Sequence, residues 1–370
     1  MSSAAVNVRP EIAGLTAYVP GLSIEEIRER YGLESVIKMA SNENPLGTSP
    51  LVQDALARHA ALAFRYPQGG NPRLVQAIAA HHKVAAERIA VGNGSDEIID
   101  LLIRIRAVPG KHNIVCFDPC FSIYPIQSRI CGVEVRRVPV EPDFSLNLTK
   151  LAALADENTV LVFVTTPDNP SGYTVPMQAL QALAAALPSA ALLVVDEAYA
   201  DFADDEQASS LLAAGIDMPN VVILRTFSKS FGLAGLRLGY AVMPQALGNY
   251  YWRARLPFSV NILAEEAGLA ALADSVYRAE TLRVVREGRA ALTAGFEALG
   301  CHVYPSQANF IMLAPPKGAM DAAGTFEALL RRGIIIRPLK SYGLPHLLRV
   351  SMGTAAENTA LLKACKEIWA

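Results

Sequence analysis

The sequence has 370 residues, of which 52% are hydrophobic and 18% charged, and its formal net charge is −2. This composition is typical of a well-buried globular protein and excludes a disordered or fibrous chain. The small net charge provides no basic field for nucleic acid or an anionic membrane, and no apolar run is long enough to span a bilayer. The length predicts one large domain and one smaller domain.

Five cysteines are scattered along the chain, at positions 116, 120, 131, 301 and 365. No second cysteine pair or histidine pair completes a zinc set, so we expect buried, reduced thiols and no metal site. The first residues lack a charged segment followed by an apolar one. We therefore expect no signal peptide and a cytoplasmic protein.

Predicted strands and helices alternate through the middle of the chain. Near-continuous apolar runs such as "TVLVFVTTP" (159–167) and "ALLVVDEAY" (191–199) are typical of strands buried on both faces. This alternation predicts a mainly parallel sheet with helices on both faces, in which ligands gather at the carboxyl ends of the strands. Further strands are predicted at 88–94, 113–119, 132–140 and 220–224, and helices at 95–107 and 175–189.

After about residue 255 the pattern changes. The segment 264–300 is helical and alanine-rich, 301–315 is strand-like, and a helix is predicted near 324–332, before "IIIRPL", "LLRVSMG" and a last helix. We predict that residues 1–40 form an arm joining the small domain, 41–255 the large domain, and 256–370 a small α+β domain.

Polar side chains follow several of the predicted strands. Asn169 follows "TVLVFVTTP", Asp196 and Tyr199 follow "ALLVV", and Lys229 follows "NVVIL". Singly, each has a simple explanation, such as a turn, a helix start or a surface lysine. Together they indicate a site, because a buried aspartate needs a cation or a protonated heterocycle. A buried lysine near Arg237 is favoured as a neutral, nucleophilic amine.

A second group of residues indicates an anion site. Gly94 and Ser95 open a predicted helix and offer backbone N–H groups and a hydroxyl, and Ser228 and Arg237 could close the other side. A phosphorylated, cationic aromatic aldehyde would satisfy all of these partners. The neighbouring hydroxyls of Thr226 and Ser230 receive no assigned role.

The motif "SKSFGLAGLRLGY" (228–240) resembles the lysine motif of fold-type-I pyridoxal-phosphate (PLP) aminotransferases. The wider set is more specifically similar to the histidinol-phosphate branch of that family. The resemblance implies an aspartate-aminotransferase-like α/β fold, with a large mainly parallel sheet domain and a smaller α+β domain. It is carried, in order over nearly the whole chain, by "YVPG", "KMASNENPLGTSP", "FRYPQGG", "GNGSDE", "TTPDNPSG", "VDEAYADF", "ANF" and "RPL…LRVS".

The resemblance implies four catalytic residues. Lys229 would hold PLP covalently and act as base and acid in the proton shift, and Asp196 would keep the ring nitrogen protonated. Asn169 and Tyr199 match donors to the ring's 3-oxygen. Phe121 matches the aromatic residue that stacks on the ring.

The same resemblance implies how the phosphate and the substrate are held. Tyr66 matches a tyrosine that reaches the partner subunit's cofactor phosphate, which implies a homodimer with shared sites. The cofactor phosphate would lie against Gly94, Ser95, Asp96, Ser228 and Arg237. The substrate would contact Tyr18, Asn309, Arg337 and Arg349, where Arg349 clamps a carboxylate and Arg337 a phosphate.

The implied reaction converts L-histidinol phosphate and 2-oxoglutarate to imidazole-acetol phosphate and L-glutamate in histidine biosynthesis. Asp168 stands where the branch usually has asparagine, and Gln68 where aspartate is more common. An aromatic amino-acid aminotransferase and a threonine-phosphate decarboxylase therefore remain alternatives. A non-enzymatic PLP sensor would need a DNA-binding module, and a dehydrogenase would need a G-x-G-x-x-G turn after a strand. The sequence shows neither feature.

Overall fold

The structure, a computed structural model, describes residues 7–15 and 21–370. The predicted site residue Tyr18 lies outside this part of the chain. The strands are β1 Ile37–Lys38, β2 Ile89–Gly92, β3 Asn113–Asp118, β4 Glu134–Pro139, β5 Thr159–Thr165, β6 Leu192–Asp196, β7 Val221–Thr226, β8 Gly239–Val242, β9 His302–Tyr304, β10 Phe310–Ala314, β11 Ile334–Ile335, β12 Arg337–Pro338 and β13 Leu348–Ser351. The helices are α1 Pro10–Ala13, α2 Ile24–Tyr31, α3 Pro50–His59, α4 Pro72–His82, α5 Gly94–Arg106, α6 Ile123–Ile130, α7 Leu148–Leu154, α8 Met177–Ala186, α9 Glu206–Ser209, α10 Gln245–Ala254, α11 Ile262–Ala273, α12 Ser275–Ala298, α13 Ala322–Leu330 and α14 Ala355–Trp369.

A seven-stranded sheet in the order β2-β8-β7-β6-β5-β3-β4 forms the centre of the large domain. Its strands are parallel except β8, which pairs antiparallel with both β2 and β7. On β5, Val162 and Val164 pack into the core on one face of the sheet, while Leu161 and Phe163 pack into the core on the other. Burial on both faces explains why these strands are apolar almost without interruption. The predicted mainly parallel α/β sheet is confirmed.

The sequence predicts no strand at β8, whose first two residues, Gly239 and Tyr240, end the lysine motif. A 3₁₀ turn at Ala234–Leu236 ends at Arg237, which has a left-handed backbone with φ +54°. The chain then turns back as β8, so that Gly239 pairs with both Gly92 and Thr226. A Cβ at Gly239 would lie 2.4 Å from the backbone nitrogen of Ser95, so only glycine allows this close approach.

The small domain contains an antiparallel sheet in the order β12-β13-β10-β9, covered by α12, α13 and α14. Strand β11 belongs to a different sheet, in which it pairs in parallel with β1 of the N-terminal segment. The single strand-like run "IIIRPL" is thus two short strands in two sheets. The run 301–315 is likewise two strands, β9 and β10, which pair antiparallel.

The alanine-rich segment 264–300 is divided into two helices at Asp274. The carboxylate of Asp274 accepts a hydrogen bond from the Tyr277 N–H at 3.0 Å and one from the Ser49 hydroxyl at 2.6 Å. The first contact is an N-cap that starts α12. Because the capping aspartate has a non-helical backbone (φ −93°, ψ 68°), the chain changes direction there.

These contacts bear on where the domains begin and end. The buried residues Ala264, Ala267 and Ala271 of α11 pack into the same core as the large sheet. We therefore propose that the large domain extends to Asp274 rather than ending at residue 255. The arm is proposed to join the small domain, because β1 pairs with β11 and Ile27 of α2 packs against small-domain residues.

Candidate active site

The carboxyl ends of β5, β6 and β7 meet the N-terminus of α5 at one edge of the large sheet. A cleft of about 250 Å³ opens there. The structure thus gathers side chains from five segments that are far apart in sequence. The predicted residues that line the cleft are Ser95, Asp96, Phe121, Asn169, Asp196, Tyr199, Ser228, Lys229 and Arg237.

Lys229 extends from the loop after β7 into this cleft. Its Nζ donates a hydrogen bond to the Ser41 carbonyl oxygen at 3.3 Å and lies 5.6 Å from the centre of the Tyr199 ring. Burial, and next the positive charge of Arg349, lower the pKa of this amine from 10.5 to about 8. Roughly a tenth of Lys229 is therefore neutral and nucleophilic at pH 7.

Asp196 ends β6 and is almost completely buried. Its carboxylate accepts hydrogen bonds from the Tyr124 hydroxyl at 2.7 Å and from the Ala198 N–H at 3.1 Å. Burial nevertheless raises the pKa of this carboxyl from 3.8 to about 6. The site is therefore suited to a ligand that brings a positive charge to Asp196.

An anion cradle lies at the N-terminus of α5. Gly94 has φ +78°, and a Cβ there would lie 2.7 Å from Nη2 of Arg237. The guanidinium of Arg237 reaches the Ser228 hydroxyl at 3.5 Å and the Asp96 carboxylate at 3.2 Å. Backbone N–H groups at a helix start, a hydroxyl and an arginine together are suited to a phosphate. Asp96 is negatively charged, as a phosphate is, and therefore does not attract that ligand itself. Its contact with Arg237 orients the guanidinium.

The predicted ring contacts surround the cleft. Asn169 accepts a hydrogen bond from Nη1 of Arg349 through its Oδ1. The Tyr199 hydroxyl accepts one from Nδ2 of Asn42 at 3.1 Å. The Phe121 ring stands edge-on to Tyr124, with 5.6 Å between ring centres and 85° between planes. Both polar side chains are thus fixed by a second residue, while Phe121 presents an apolar surface to the cleft.

Two buried polar groups beside the cleft have unused hydrogen-bonding capacity. Arg349 donates to Asn169 and to the Ala40 carbonyl, but its Nε has no partner among the described residues. Asn309 donates to the Asn42 carbonyl at 3.0 Å, and within the same part of the chain its Oδ1 is without a partner. Unpaired buried polar atoms raise the free energy of the folded protein. A polar ligand beside Arg349 that formed hydrogen bonds with these atoms would remove that cost.

Two predicted residues lie outside the cleft. Arg337 lies opposite Arg349 in the antiparallel pairing of β12 with β13. It lines a second cavity of about 590 Å³ together with Arg129 and Arg137. Tyr66 is 80% exposed, and its ring stacks on Phe258 with 4.8 Å between centres. The roles assigned to both residues stay predictions.

Asn42 is a site residue that the sequence reasoning missed. It has a left-handed backbone (φ +55°), and its side chain binds Tyr199 on one side and the Ser351 hydroxyl, at 2.9 Å, on the other. It thereby connects the large domain to β13. The signal was present, since Asn42 lies inside the motif "KMASNENPLGTSP", but its partners are more than 150 positions away.

The two hydroxyls without an assigned role differ in the structure. Thr226 lines the cleft, and its Oγ1 accepts the N–H two residues further on at 3.0 Å. Ser230 donates to Asp201, which is also paired with Arg225 at 3.0 Å. Arg225 in turn pairs with Glu197, the residue after Asp196, at 2.8 Å. This buried network fixes the segments on either side of Lys229 and Asp196 relative to each other.

No group of three or more metal-binding side chains occurs within residues 7–15 and 21–370. Over the same ranges, no helix is long and apolar enough to cross a membrane. All five cysteines are free.

We expect Asp168→Asn to stabilise the protein at pH 8. Asp168 is buried, and its carboxylate accepts hydrogen bonds from the hydroxyl and the N–H of Ser171, at 2.6 Å and 3.2 Å. Burial raises its pKa from 3.8 to about 6, so its contribution to stability is present below about pH 4 and lost as pH rises through 6. Asparagine keeps an acceptor without the charge. The free energy of unfolding in urea should increase by about 1–2 kcal/mol at pH 8.

The same measurement at pH 4 should show little or no gain, since Asp168 is then already protonated in the folded state and asparagine removes no buried charge. Asp54→Asn, on an exposed part of α3, should change stability at neither pH. An equal gain at both pH values would contradict a buried, ionised Asp168.

The family model for class I and II aminotransferases matches residues 34–365. The chain belongs to this family. It is 64% identical over 362 residues to a histidinol-phosphate aminotransferase of Nitratidesulfovibrio vulgaris (strain DP4), covering 98% of this chain and 96% of that protein. It is 60% identical over 369 residues to one of Oleidesulfovibrio alaskensis, covering 100% and 96%.

The solved structures agree with this assignment. The crystal structure of histidinol-phosphate aminotransferase from Sinorhizobium meliloti, in complex with pyridoxal-5'-phosphate, has a TM-score of 0.88 and 29% identity. The match covers 100% of this chain and 99% of that one. The fold is thus of the aspartate-aminotransferase type, and the family predicted from the motifs is confirmed.

Proposed function

We propose that the protein is a PLP-dependent transaminase that converts L-histidinol phosphate and 2-oxoglutarate to imidazole-acetol phosphate and L-glutamate, in histidine biosynthesis. The observation that carries the proposal is the cleft itself, in which a lysine of lowered pKa, a buried aspartate and an anion cradle face one another. The choice of substrate is supported by the full-length similarity to the histidinol-phosphate aminotransferases of Nitratidesulfovibrio vulgaris and Oleidesulfovibrio alaskensis.

The residues of the cleft fit PLP. Lys229 would hold its aldehyde carbon, Asp196 would pair with the protonated ring nitrogen, and Asn169 and Tyr199 would contact the 3-oxygen. Phe121 would cover one face of the ring. The phosphate would occupy the cradle formed by Gly94, Ser95, Ser228 and Arg237, which supplies N–H groups, hydroxyls and a cation.

When bound, PLP supplies an electron sink for negative charge at the substrate's α-carbon. Once the substrate amine has displaced it from the aldehyde carbon, Lys229, neutral in part near pH 7, would act as the base that takes the proton from the α-carbon and as the acid that returns it. Asp196 would keep the ring nitrogen protonated. Arg349, whose Nε has no partner among the described residues, would hold the anionic group of the substrate.

We also propose that the chain acts as a cytoplasmic homodimer in which Tyr66 reaches the partner's phosphate. The exposed aromatic stack of Tyr66 and Phe258 supports this proposal, because such a surface is suited to burial against another chain. Sedimentation at micromolar concentration should give the mass of two chains.

A half-reaction assay tests the proposed substrate. The protein loaded with PLP is mixed with histidinol phosphate, phenylalanine or threonine phosphate, with no 2-oxo acid present. We expect histidinol phosphate to convert the cofactor fastest to its amine form, seen as loss of visible absorbance. Faster conversion by phenylalanine would favour an aromatic aminotransferase, and release of CO₂ from threonine phosphate would favour a decarboxylase. Either result would contradict the proposal.

Arg337→Ala should separate the two half-reactions. Its guanidinium is assigned to the phosphate of histidinol phosphate, which glutamate lacks, and a hydrogen bond between charged groups contributes about 10- to 150-fold in affinity. We expect kcat/KM for histidinol phosphate to fall by about that factor and that for glutamate to stay within about twofold. Arg283→Ala, on the exposed face of α12, is the matched control and should change neither. Equal losses for both substrates would show that Arg337 is misassigned.

A further inference from the structure

Tyr124 lies directly behind the cleft, in the first turn of α6. It is among the largest fully buried side chains, with 1% of its surface exposed. Its ring stacks on Phe163 of β5, with 4.5 Å between centres and 15° between planes, and meets the edge of Phe121. Apolar packing therefore fixes the ring independently of its hydroxyl group.

The hydroxyl of Tyr124 lies between two polar groups. It is 2.7 Å from Oδ2 of Asp196 and 2.8 Å from Oγ1 of Thr165, both at strand ends that line the cleft. An ionised carboxylate can only accept, so the single phenolic proton is donated to Asp196. The Thr165 hydroxyl is then left to donate to the phenolic oxygen. The order of donation is thus Thr165 to Tyr124 to Asp196.

Asp196 needs this donor because its surroundings disfavour a negative charge. Desolvation raises the pKa of its carboxyl, and the charges of Asp96 and Glu197 act in the same direction. The Tyr124 hydroxyl and the Ala198 N–H oppose them. Among the described residues, Tyr124 is the side chain that donates to Asp196. Burial also raises the pKa of Tyr124 well above its usual value, which keeps the phenol protonated and able to donate.

We propose that Tyr124 is a positioning residue that orients the Asp196 carboxylate and holds it as an anion toward the ring nitrogen of the cofactor, with Thr165 fixing the direction of the phenolic proton. Tyr124 acts through Asp196 and touches neither cofactor nor substrate. The inference rests on the proposed PLP function, since Asp196 has no cationic partner among its described contacts.

Tyr124→Phe tests the hydroxyl alone, because phenylalanine keeps the stacking on Phe163 and the contact with Phe121. The dissociation constant of the cofactor-free protein is measured for PLP and for 1-deaza-pyridoxal phosphate, in which CH replaces the ring nitrogen. Loss of a hydrogen bond to a charged group should weaken PLP binding by about tenfold or more. Binding of the deaza analogue should change by less than about twofold, because no ring cation depends on Asp196.

Tyr251→Phe is the matched control. Tyr251 is equally buried in the same core, and its hydroxyl donates to the Val91 carbonyl at 3.0 Å. Its loss should affect both ligands equally. Thr165→Val should weaken PLP binding by about two- to tenfold with little effect on the analogue, and Thr165→Ser should restore the wild-type value.

The outcomes separate this inference from the proposed function. If wild-type protein binds PLP but Tyr124→Phe binds it as tightly, or weakens both ligands equally, the positioning role is wrong and the proposed function stands. If wild-type protein itself fails to bind PLP, both are overturned.

Discussion

Lys229→Ala is expected to abolish transamination and the visible absorbance band of PLP bonded to this lysine. In the proposed function Lys229 contributes both the amine that holds the cofactor and the group that moves the proton, and no other lysine lines the cleft in the part of the chain that the structure describes. Loss of a positioned acid–base group lowers kcat by about 10²–10⁴-fold, and loss of the covalent attachment adds to this. The expected decrease in kcat is therefore at least about 10³-fold.

The ultraviolet–visible absorbance spectrum and steady-state turnover are measured on the same samples. Lys150→Ala, which removes an exposed lysine paired with Glu141, should leave both unchanged. If the Lys229→Ala protein kept both the visible absorbance band and turnover, the assignment of the cleft as a PLP site would be wrong.

Asp196→Asn is expected to have the second-largest effect. Asparagine keeps the size of the side chain and an acceptor for Tyr124 but removes the negative charge that is proposed to pair with the protonated ring nitrogen. Breaking a buried ion pair by removing one partner costs about 3–5 kcal/mol, which corresponds to about 10²–10⁴-fold. We expect kcat to fall within that range, while KM for 2-oxoglutarate changes little, because the substitution leaves Arg349, the proposed substrate ligand, in place.

Asp217→Asn is the control, since it removes one carboxylate that is 67% exposed and paired with Arg88 at the surface. It should leave kcat within about twofold of wild type. If Asp196→Asn retained more than about a tenth of the wild-type kcat, Asp196 could not be the partner of the ring nitrogen.

Much of the fold could be predicted because burial leaves a direct pattern in sequence. Strands such as β5 and β6 pack on both faces, so nearly all of their side chains must be apolar. The polar residues that follow them interrupt that pattern, which is why Asn169, Asp196 and Lys229 could be identified as site candidates. The family resemblance added the roles of individual residues, and the comparisons confirm the family.

Strand β8 shows where such reasoning fails. Its four residues, Gly239–Val242, begin with glycine and follow a turn in which Arg237 has a left-handed backbone. Nothing in so short a run distinguishes a connection from a strand. The run 239–242 becomes a strand because β2 and β7 flank it on both sides and satisfy its backbone hydrogen bonds.

The amino-acid sequence was enough to predict the class of fold, the lysine and aspartate of the proposed site, and the proposed phosphate cradle, since these depend on local composition at strand ends and at one helix start. Which residues hold those groups in place became visible in the three-dimensional structure alone. Tyr124 meets Asp196 across 72 positions and Asn42 meets Tyr199 across 157. The physical reason is that a hydrogen bond needs donor and acceptor within about 3 Å, and strand order and domain packing, not spacing along the chain, bring them that close.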